Sequence, residues 1–110
     1  MREDVQYLLR LPSAGRASPN PYAVVAMQFA VVHGPNLNLL GTREPDTYGS
    51  LTLDEINVSI GAWASRHGVQ VTTFQSNVEG DIVTHLQMVG SQADGIIINP
   101  AAYTHTSIAI

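Results

Sequence analysis

The chain has 110 residues, of which 45% are hydrophobic and 13% charged, so it has room for one domain with an ordinary core. Its formal net charge is −4, it contains no lysine, and no basic stripe with interleaved aromatic residues occurs, which argues against nucleic acid as a partner. The absence of cysteine excludes disulfides and thiolate chemistry and fits a reducing, cytoplasmic location. No apolar run is long enough to span a bilayer, so no membrane contact is expected.

Residues 1–26 differ in composition from the rest of the chain. Residues 1–11 could form one or two helical turns, but the segment 12–15 would end them, and the prolines in 18–21 predict a linker. Acidic residues near the start and the lack of an apolar core argue against a signal peptide, although a transit peptide stays open. We therefore expect residues 1–26 to be a disordered leader or a mis-called upstream segment, and residues 27–110 to be the folded unit.

Alternating strand and helix signals follow residue 27. A continuous apolar run indicates a strand, and apolar residues at spacings of three and four indicate a helix. The predicted elements in chain order are a strand at 28–33, a helix at 52–67, a strand at 69–74, a helix that follows a capping box at 76–79, a strand at 96–99 and the capped start of a third helix at 103–107.

This alternation predicts an open α/β sheet of parallel strands with the spatial order 2-1-3. The topological switch then lies between the first and third strands, and ligands bind there, outside the carboxyl ends of the strands. We therefore expect the loop after the first strand and the segment 99–107 to face each other across one crevice.

A long polar loop follows the first predicted strand. It begins at Gly34 and carries Asn36, Asn38, Arg43 and Tyr48 between glycines and prolines. Connections in compact α/β units usually take roughly 2–6 residues, so the greater length of this loop indicates a binding loop or a lid.

Tyr48 is the loop side chain with the clearest chemical use, although a lone loop tyrosine is more often a packing residue. To act as a base it needs a pKa below its ordinary value of about 10, and each pKa unit requires about 1.4 kcal/mol. A neighbouring guanidinium favours the phenolate, and Arg43 lies on the same loop with Pro45 stiffening the interval. Alternatively, Arg43 is a solvated surface charge.

Further polar residues could contact a ligand at the crevice. Asn36 could orient a water or a developing oxyanion, or could, like Asn38, only satisfy turn backbone. Asn99 ends the third strand, and a contact with a ligand and a purely structural role are equally expected for it. His105 at a helix start favours an anionic or hydroxylated ligand, whereas Thr106 could be only a cap. The histidine spacing predicts no metal site.

Four blocks of the sequence resemble the signature of the type II 3-dehydroquinate dehydratases. They are Gly-Pro-Asn-Leu-Asn-Leu-Leu-Gly at 34–41, Arg-Glu-Pro and Tyr-Gly within 43–49, Ser-Asn-Val-Glu-Gly at 76–80 and Ile-Asn-Pro-Ala-Ala-Tyr-Thr-His-Thr-Ser at 98–107. The blocks stand in the family order and the resemblance covers about residues 27–110. His33 departs from the pattern, because an asparagine usually precedes the Gly-Pro pair.

The resemblance implies a flavodoxin-like α/β fold, a three-layer open parallel sheet of which this chain holds the first three strands. It also implies a lyase that eliminates water from 3-dehydroquinate, in the shikimate pathway or in quinate catabolism, without metal or organic cofactor. Members of the family form homotrimers grouped into dodecamers, so a homo-oligomer is expected.

The resemblance also implies the site residues. Tyr48 is implied to be the base that removes the C2 proton, Arg43 on a mobile lid to lower the pKa of that tyrosine, and Asn36 to hold the water that stabilises the enolate. The remaining implied site residues are the substrate-binding Asn99, His105 and Thr106 and the supporting Glu79.

The chain is expected to be truncated at its C-terminus relative to the family. Family members continue through further strands, and that continuation carries a histidine general acid. The strand at 96–98 would then be an unpaired apolar edge, one sheet face would lack helix cover, and the isolated chain would be marginally stable. The alternatives are a catalytically inactive fragment and a flavodoxin-like module that binds a small carboxylate.

Overall fold

The computed structural model describes residues 6–8, 26–42 and 49–110, the first of these ranges as backbone. Its elements are β1 (Gln6–Leu8), β2 (Gln28–His33), a 3₁₀ helix (Leu37–Leu39), α1 (Leu53–Arg66), β3 (Gln70–Gln75), α2 (Glu79–Gly90), β4 (Gly95–Asn99) and a second 3₁₀ helix (Ala101–Thr104). The longer of the two α-helices has 14 residues, and no helix in these ranges is long and apolar enough to cross a membrane.

Three parallel strands form the centre of the sheet, in the order β4-β2-β3. Val31 in β2 is the Cα partner of Thr73 on one side and of Ile97 on the other. The predicted α/β architecture and the 2-1-3 order of these strands are therefore confirmed.

The outer edge of β4 differs from the prediction. Residues 6–8 form β1, which pairs antiparallel with β4, and Tyr7 is the Cα partner of Ile97. The expected helical turn is therefore wrong at 6–8, and the expected unpaired edge at 96–98 is wrong as well. A strand edge presents a row of free N–H and C=O groups, which pairing satisfies. The other residues of the expected leader, apart from Ala26, lie outside the described ranges.

Local hydrogen bonds explain where α1 begins and ends. The Thr52 hydroxyl accepts from the backbone N–H of Glu55 at 3.1 Å, as the predicted cap requires. At the other end Gly68 has a φ of 65°, a left-handed conformation that glycine adopts without steric cost. The capping box predicted for α2 is wrong, because the hydroxyl of Ser76 accepts from the N–H of Val78 in the preceding turn.

The main hydrophobic core lies between α2 and one face of the sheet. Val32 and Ile82 are both fully buried there. The other buried members of the cluster are Ala30, Val89, Ala93, Ile96 and Ile98. The opposite face packs against α1 but leaves an apolar groove of about 540 Å³ that reaches Trp63, so helix cover on this face is incomplete in the described ranges.

A ring stack between β3 and α2 contains His85, whose burial is expected to make the stability of the fold depend on pH. The ring centroids of Phe74 and His85 lie 3.9 Å apart, and the two ring planes are almost parallel. Burial lowers the pKa of His85 from its ordinary value of 6.5. Protonation therefore favours the unfolded chain, so stability is retained above pH 6.5 and lost as the pH falls towards the folded-state pKa. We expect His85→Phe to reduce the loss of melting temperature between pH 7.5 and 5.

The matched control for this prediction is Thr84→Val, at the exposed neighbouring position of α2. Thr84 does not titrate, so this variant should lose as much melting temperature on acidification as the unmodified chain. Equal losses for His85→Phe and Thr84→Val, measured by circular dichroism, would show that His85 does not contribute to the pH dependence.

Candidate active site

The loop after β2 touches the segment after β4 at the carboxyl ends of the strands. The backbone N–H of Gly34 donates to the carbonyl oxygen of Asn99 at 2.8 Å. A Cβ atom at Gly34 would lie only 2.5 Å from the carbonyl oxygen of Pro100, so glycine is needed for this approach. The two segments of the predicted crevice therefore meet at this end of the sheet.

Asn36 stands on one side of the crevice in a left-handed backbone conformation, with a φ of 67°. Asparagine tolerates this region better than most residues with a Cβ atom. Its backbone N–H donates to Oδ1 of Asn77 at 2.9 Å, and its carbonyl accepts from the N–H of Leu39 at 2.9 Å. The side-chain amide of Asn36 is exposed and makes no hydrogen bond to a described residue, so it is available to a ligand or a water.

The end of β3 supplies two residues that sequence reasoning gave no site role. Nε2 of Gln75 donates to the carbonyl oxygen of Gly34 at 3.1 Å and to Oδ1 of Asn77 at 3.0 Å. These amides connect β3 to the loop that follows β2. The sequence does contain a signal for this role. Two amide residues, Gln75 and Asn77, follow the predicted strand 69–74 at the end of the sheet where ligands are expected to bind.

The β4 side of the crevice begins with Asn99, whose Oδ1 accepts from the N–H of Ala101 at 3.0 Å. Ala101 has a φ of 51°, which is unfavourable for a residue with a Cβ atom. The hydroxyl of Tyr103 then donates to the carbonyl oxygen of Asn77 at 2.7 Å. Two non-glycine residues with positive φ, Asn36 and Ala101, thus lie on opposite sides of one crevice, as is common at functional sites.

His105 and Thr106 are exposed residues directly after the second 3₁₀ helix. The N–H of His105 bonds the carbonyl of Ala102 in an i to i−3 pattern, so this stretch is not α-helical. The hydroxyl of Ser107 accepts from the backbone N–H of Ile110 at 3.0 Å, which is the bond of a helix cap, and the capped helix start at 103–107 stays a prediction. In this block Oγ1 of Thr104 is buried without a hydrogen-bond partner among the described residues.

Glu79 is the first residue of α2 and is half-buried. Its carboxylate makes no hydrogen bond to a described residue, and its negative charge is favourable at the amino end of a helix. Glu79 follows Asn77 by two residues, and its side chain is not hydrogen-bonded to any described residue of the crevice.

Tyr48, the predicted base, and Arg43, its predicted activator, lie outside the described residues. The residues that flank them are described. A Cβ atom at Gly41 would lie 2.7 Å from the carbonyl oxygen of Ser50, so the chain meets itself on either side of the segment 43–48. This meeting point follows the 3₁₀ helix that begins next to Asn36.

His33 is a structural residue. It is 7% exposed, and its Nε2 lies 2.9 Å from Oδ1 of Asn57 on α1, so it fixes that helix against the end of β2. Within the described ranges, no cluster of three or more histidine, aspartate or glutamate side chains could hold a metal ion.

The apolar groove beside α1 is a poor candidate for polar chemistry. Phe29, Val31, Val71 and Ile97 line it from the sheet, and Ser59 is its single polar lining residue. The convergent amides and the positive-φ residues all lie at the carboxyl ends of the strands instead, and we assign the candidate site there.

Comparison with known proteins gives a consistent result. The sequence model of the family described as Dehydroquinase class II matches residues 27–110. A 3-dehydroquinate dehydratase of Geotalea daltonii is 57% identical over 84 residues, and 3-dehydroquinate dehydratase 1 of Ralstonia nicotianae is 54% identical over 91 residues. These alignments cover 76% and 82% of this chain.

A solved structure agrees with the sequence comparisons. The crystal structure of a type II dehydroquinase from Butyrivibrio crossotus is 40% identical, with a TM-score of 0.73, over 76% of this chain and 59% of that one. The chain spans 58% of the length of the Geotalea and Ralstonia relatives. By its sequence blocks, its sheet order and these similarities, the chain belongs to the dehydroquinase class II family.

Proposed function

We propose that the chain carries the proton-abstracting half of a 3-dehydroquinate dehydratase site. The observation that supports this most is the hydrogen bond between Gly34 and Asn99, which brings the exposed side chain of Asn36 and the Asn99 segment together at the carboxyl ends of the parallel strands. The relatives named 3-dehydroquinate dehydratase supply the substrate and the reaction. The product is 3-dehydroshikimate, in the shikimate pathway or in quinate catabolism.

The reaction is an elimination through an enolate. The phenolate of Tyr48 takes the proton from C2, the electron pair moves to the neighbouring carbonyl oxygen, and hydroxide then leaves from C1 as water once it receives a proton. Arg43 lowers the pKa of Tyr48 because its guanidinium favours the phenolate. A water held by the Asn36 amide donates to the enolate oxygen, where negative charge develops.

The remaining members of the site bind substrate. Asn99, His105 and Thr106 offer hydrogen-bonding groups to the ring hydroxyls, and Glu79 supports the site from α2. No described residue is assigned as the acid that protonates the departing hydroxide.

The decisive assay follows the absorbance of the conjugated enone in 3-dehydroshikimate. Tyr48→Phe should lower kcat by at least about 100-fold, because it removes the base and leaves the ring. Tyr22→Phe makes the same chemical change outside the matched residues 27–110 and should leave kcat unchanged. Equal rates for the two variants would refute the role of Tyr48.

The alternative is a module that binds a small carboxylate without turnover. Calorimetric binding of 3-dehydroquinate together with no enone formation would support this alternative against the dehydratase.

The oligomeric state and the cellular location of the enzyme are part of the proposal as well. The family resemblance supports a homo-oligomer built from trimers, and the cysteine-free composition supports a cytoplasmic location. Light scattering on the purified chain would test the first of these statements.

A further inference from the structure

We propose that Asn77 is a positioning residue that holds Asn36 in its productive backbone conformation. The inference rests on the proposed function, since it concerns the placement of a residue in that same site. Asn77 does not contact substrate in this account; it acts through Asn36.

Three segments of the crevice converge on Asn77. Its Oδ1 accepts from the backbone N–H of Asn36 at 2.9 Å and from Nε2 of Gln75 at 3.0 Å. Its carbonyl oxygen accepts from the hydroxyl of Tyr103 at 2.7 Å. One residue therefore connects the loop after β2, the end of β3 and the 3₁₀ helix after β4.

These bonds are not the ones that a turn or helix start would need. The N-cap of α2 is Val78, which has no side-chain cap bond, and the turn before it is closed by the hydroxyl of Ser76. Asn77 is exposed, and its side-chain bonds go to Gln75 and across to Asn36. The side chain of Asn77 thus contributes to the crevice more than to the local fold.

The conformation of Asn36 gives the bond its importance. Its φ of 67° is uncommon outside glycine, and its side chain makes no cap bond to the 3₁₀ helix that follows. The hydrogen bond to the Asn77 amide oxygen therefore fixes the N–H of Asn36 in that conformation. A displacement of about 1 Å in a catalytic group can cost about 100-fold in rate, so a loosened Asn36 has a measurable consequence.

The kinetic test is a double-mutant cycle on the 110-residue chain. We expect Asn77→Ala to lower kcat by about tenfold, with a smaller change in KM. Asn36→Gly removes the amide while keeping the left-handed backbone accessible, and in that background Asn77→Ala should cause no further loss. If the double variant instead loses kcat by the product of the two single-variant factors, the two residues act independently and the inference is wrong.

Two further variants separate positioning from general destabilisation. Asn77→Asp retains oxygen acceptors for both donors, so kcat should stay within about threefold of the unmodified chain. Gln70→Ala removes an exposed amide pair with Gln28, joined at 3.0 Å at the opposite end of the sheet, and should change neither kcat nor the cycle. Failure of Asn77→Asp to restore kcat would contradict the inference.

A second measurement does not depend on turnover. Hydrogen exchange of the Asn36 N–H, followed by NMR, should be about fivefold faster in Asn77→Ala than in the unmodified chain, and unchanged in Gln70→Ala. If Asn77→Ala speeds the exchange but the unmodified chain has no dehydratase activity, Asn77 does position Asn36 and the proposed function is wrong. Unchanged exchange in an active chain would keep the proposed function and refute the positioning.

Discussion

Gly34→Ala is expected to lower dehydratase turnover by at least about 100-fold, because it separates the two sides of the crevice. The new Cβ atom would stand 2.5 Å from the carbonyl oxygen of Pro100 and 2.9 Å from that of Asn99. Both are backbone atoms, and Pro100 is fully buried, so no flexible side chain can move aside. Overpacking of this kind destabilises by about 1–3 kcal/mol.

Gly61→Ala is the matched control, since it makes the same chemical change in the middle of α1. A Cβ atom there would meet no atom within 4 Å, and alanine stabilises a helix interior by about 0.5–1 kcal/mol relative to glycine. Urea unfolding followed by circular dichroism should therefore move in opposite directions for the two variants. If Gly34→Ala keeps full turnover, the contact between Gly34 and the Asn99 segment is irrelevant to the site.

The elements and the crevice could be predicted from sequence because their signals are local or follow from topology. The cap at Thr52, the glycine at position 68 and the continuous apolar run at 96–98 each determine one element. Right-handed crossovers then leave few ways to order three parallel strands, and the order places Gly34 beside Asn99. Their 2.8 Å hydrogen bond follows from that order.

Other features could not be predicted because they depend on partners distant in the chain. Residues 6–8 pair with β4, which is distant in the sequence, and their own three residues do not indicate which strand they pair with. The sequence around Ser76 predicts a capping box, but the Ser76 hydroxyl closes a turn instead, because the same side chain can form either hydrogen bond. Asn77 has a role in the crevice only because Asn36 and Tyr103 come to it in the folded chain.

Ile82→Ala is expected to destabilise the chain by about 2–5 kcal/mol, the range for truncating a buried isoleucine. Ile82 is 0% exposed and packs with Val32 and Ile98 at the centre of the main core. A small domain has a total stability of about 5–15 kcal/mol, so this one change removes a large share of it. The measurement is the urea midpoint of the unfolding transition.

Met88→Ala on the same helix is the control, because Met88 is 52% exposed and should change stability by less than about 0.5 kcal/mol. The site depends on the same packing, since α2 begins two residues after Asn77 and its attachment to the sheet holds that residue at the crevice. Turnover of Ile82→Ala should therefore fall in proportion to the folded fraction as urea is raised. A midpoint equal to that of Met88→Ala would place the stabilising core elsewhere than between α2 and the sheet.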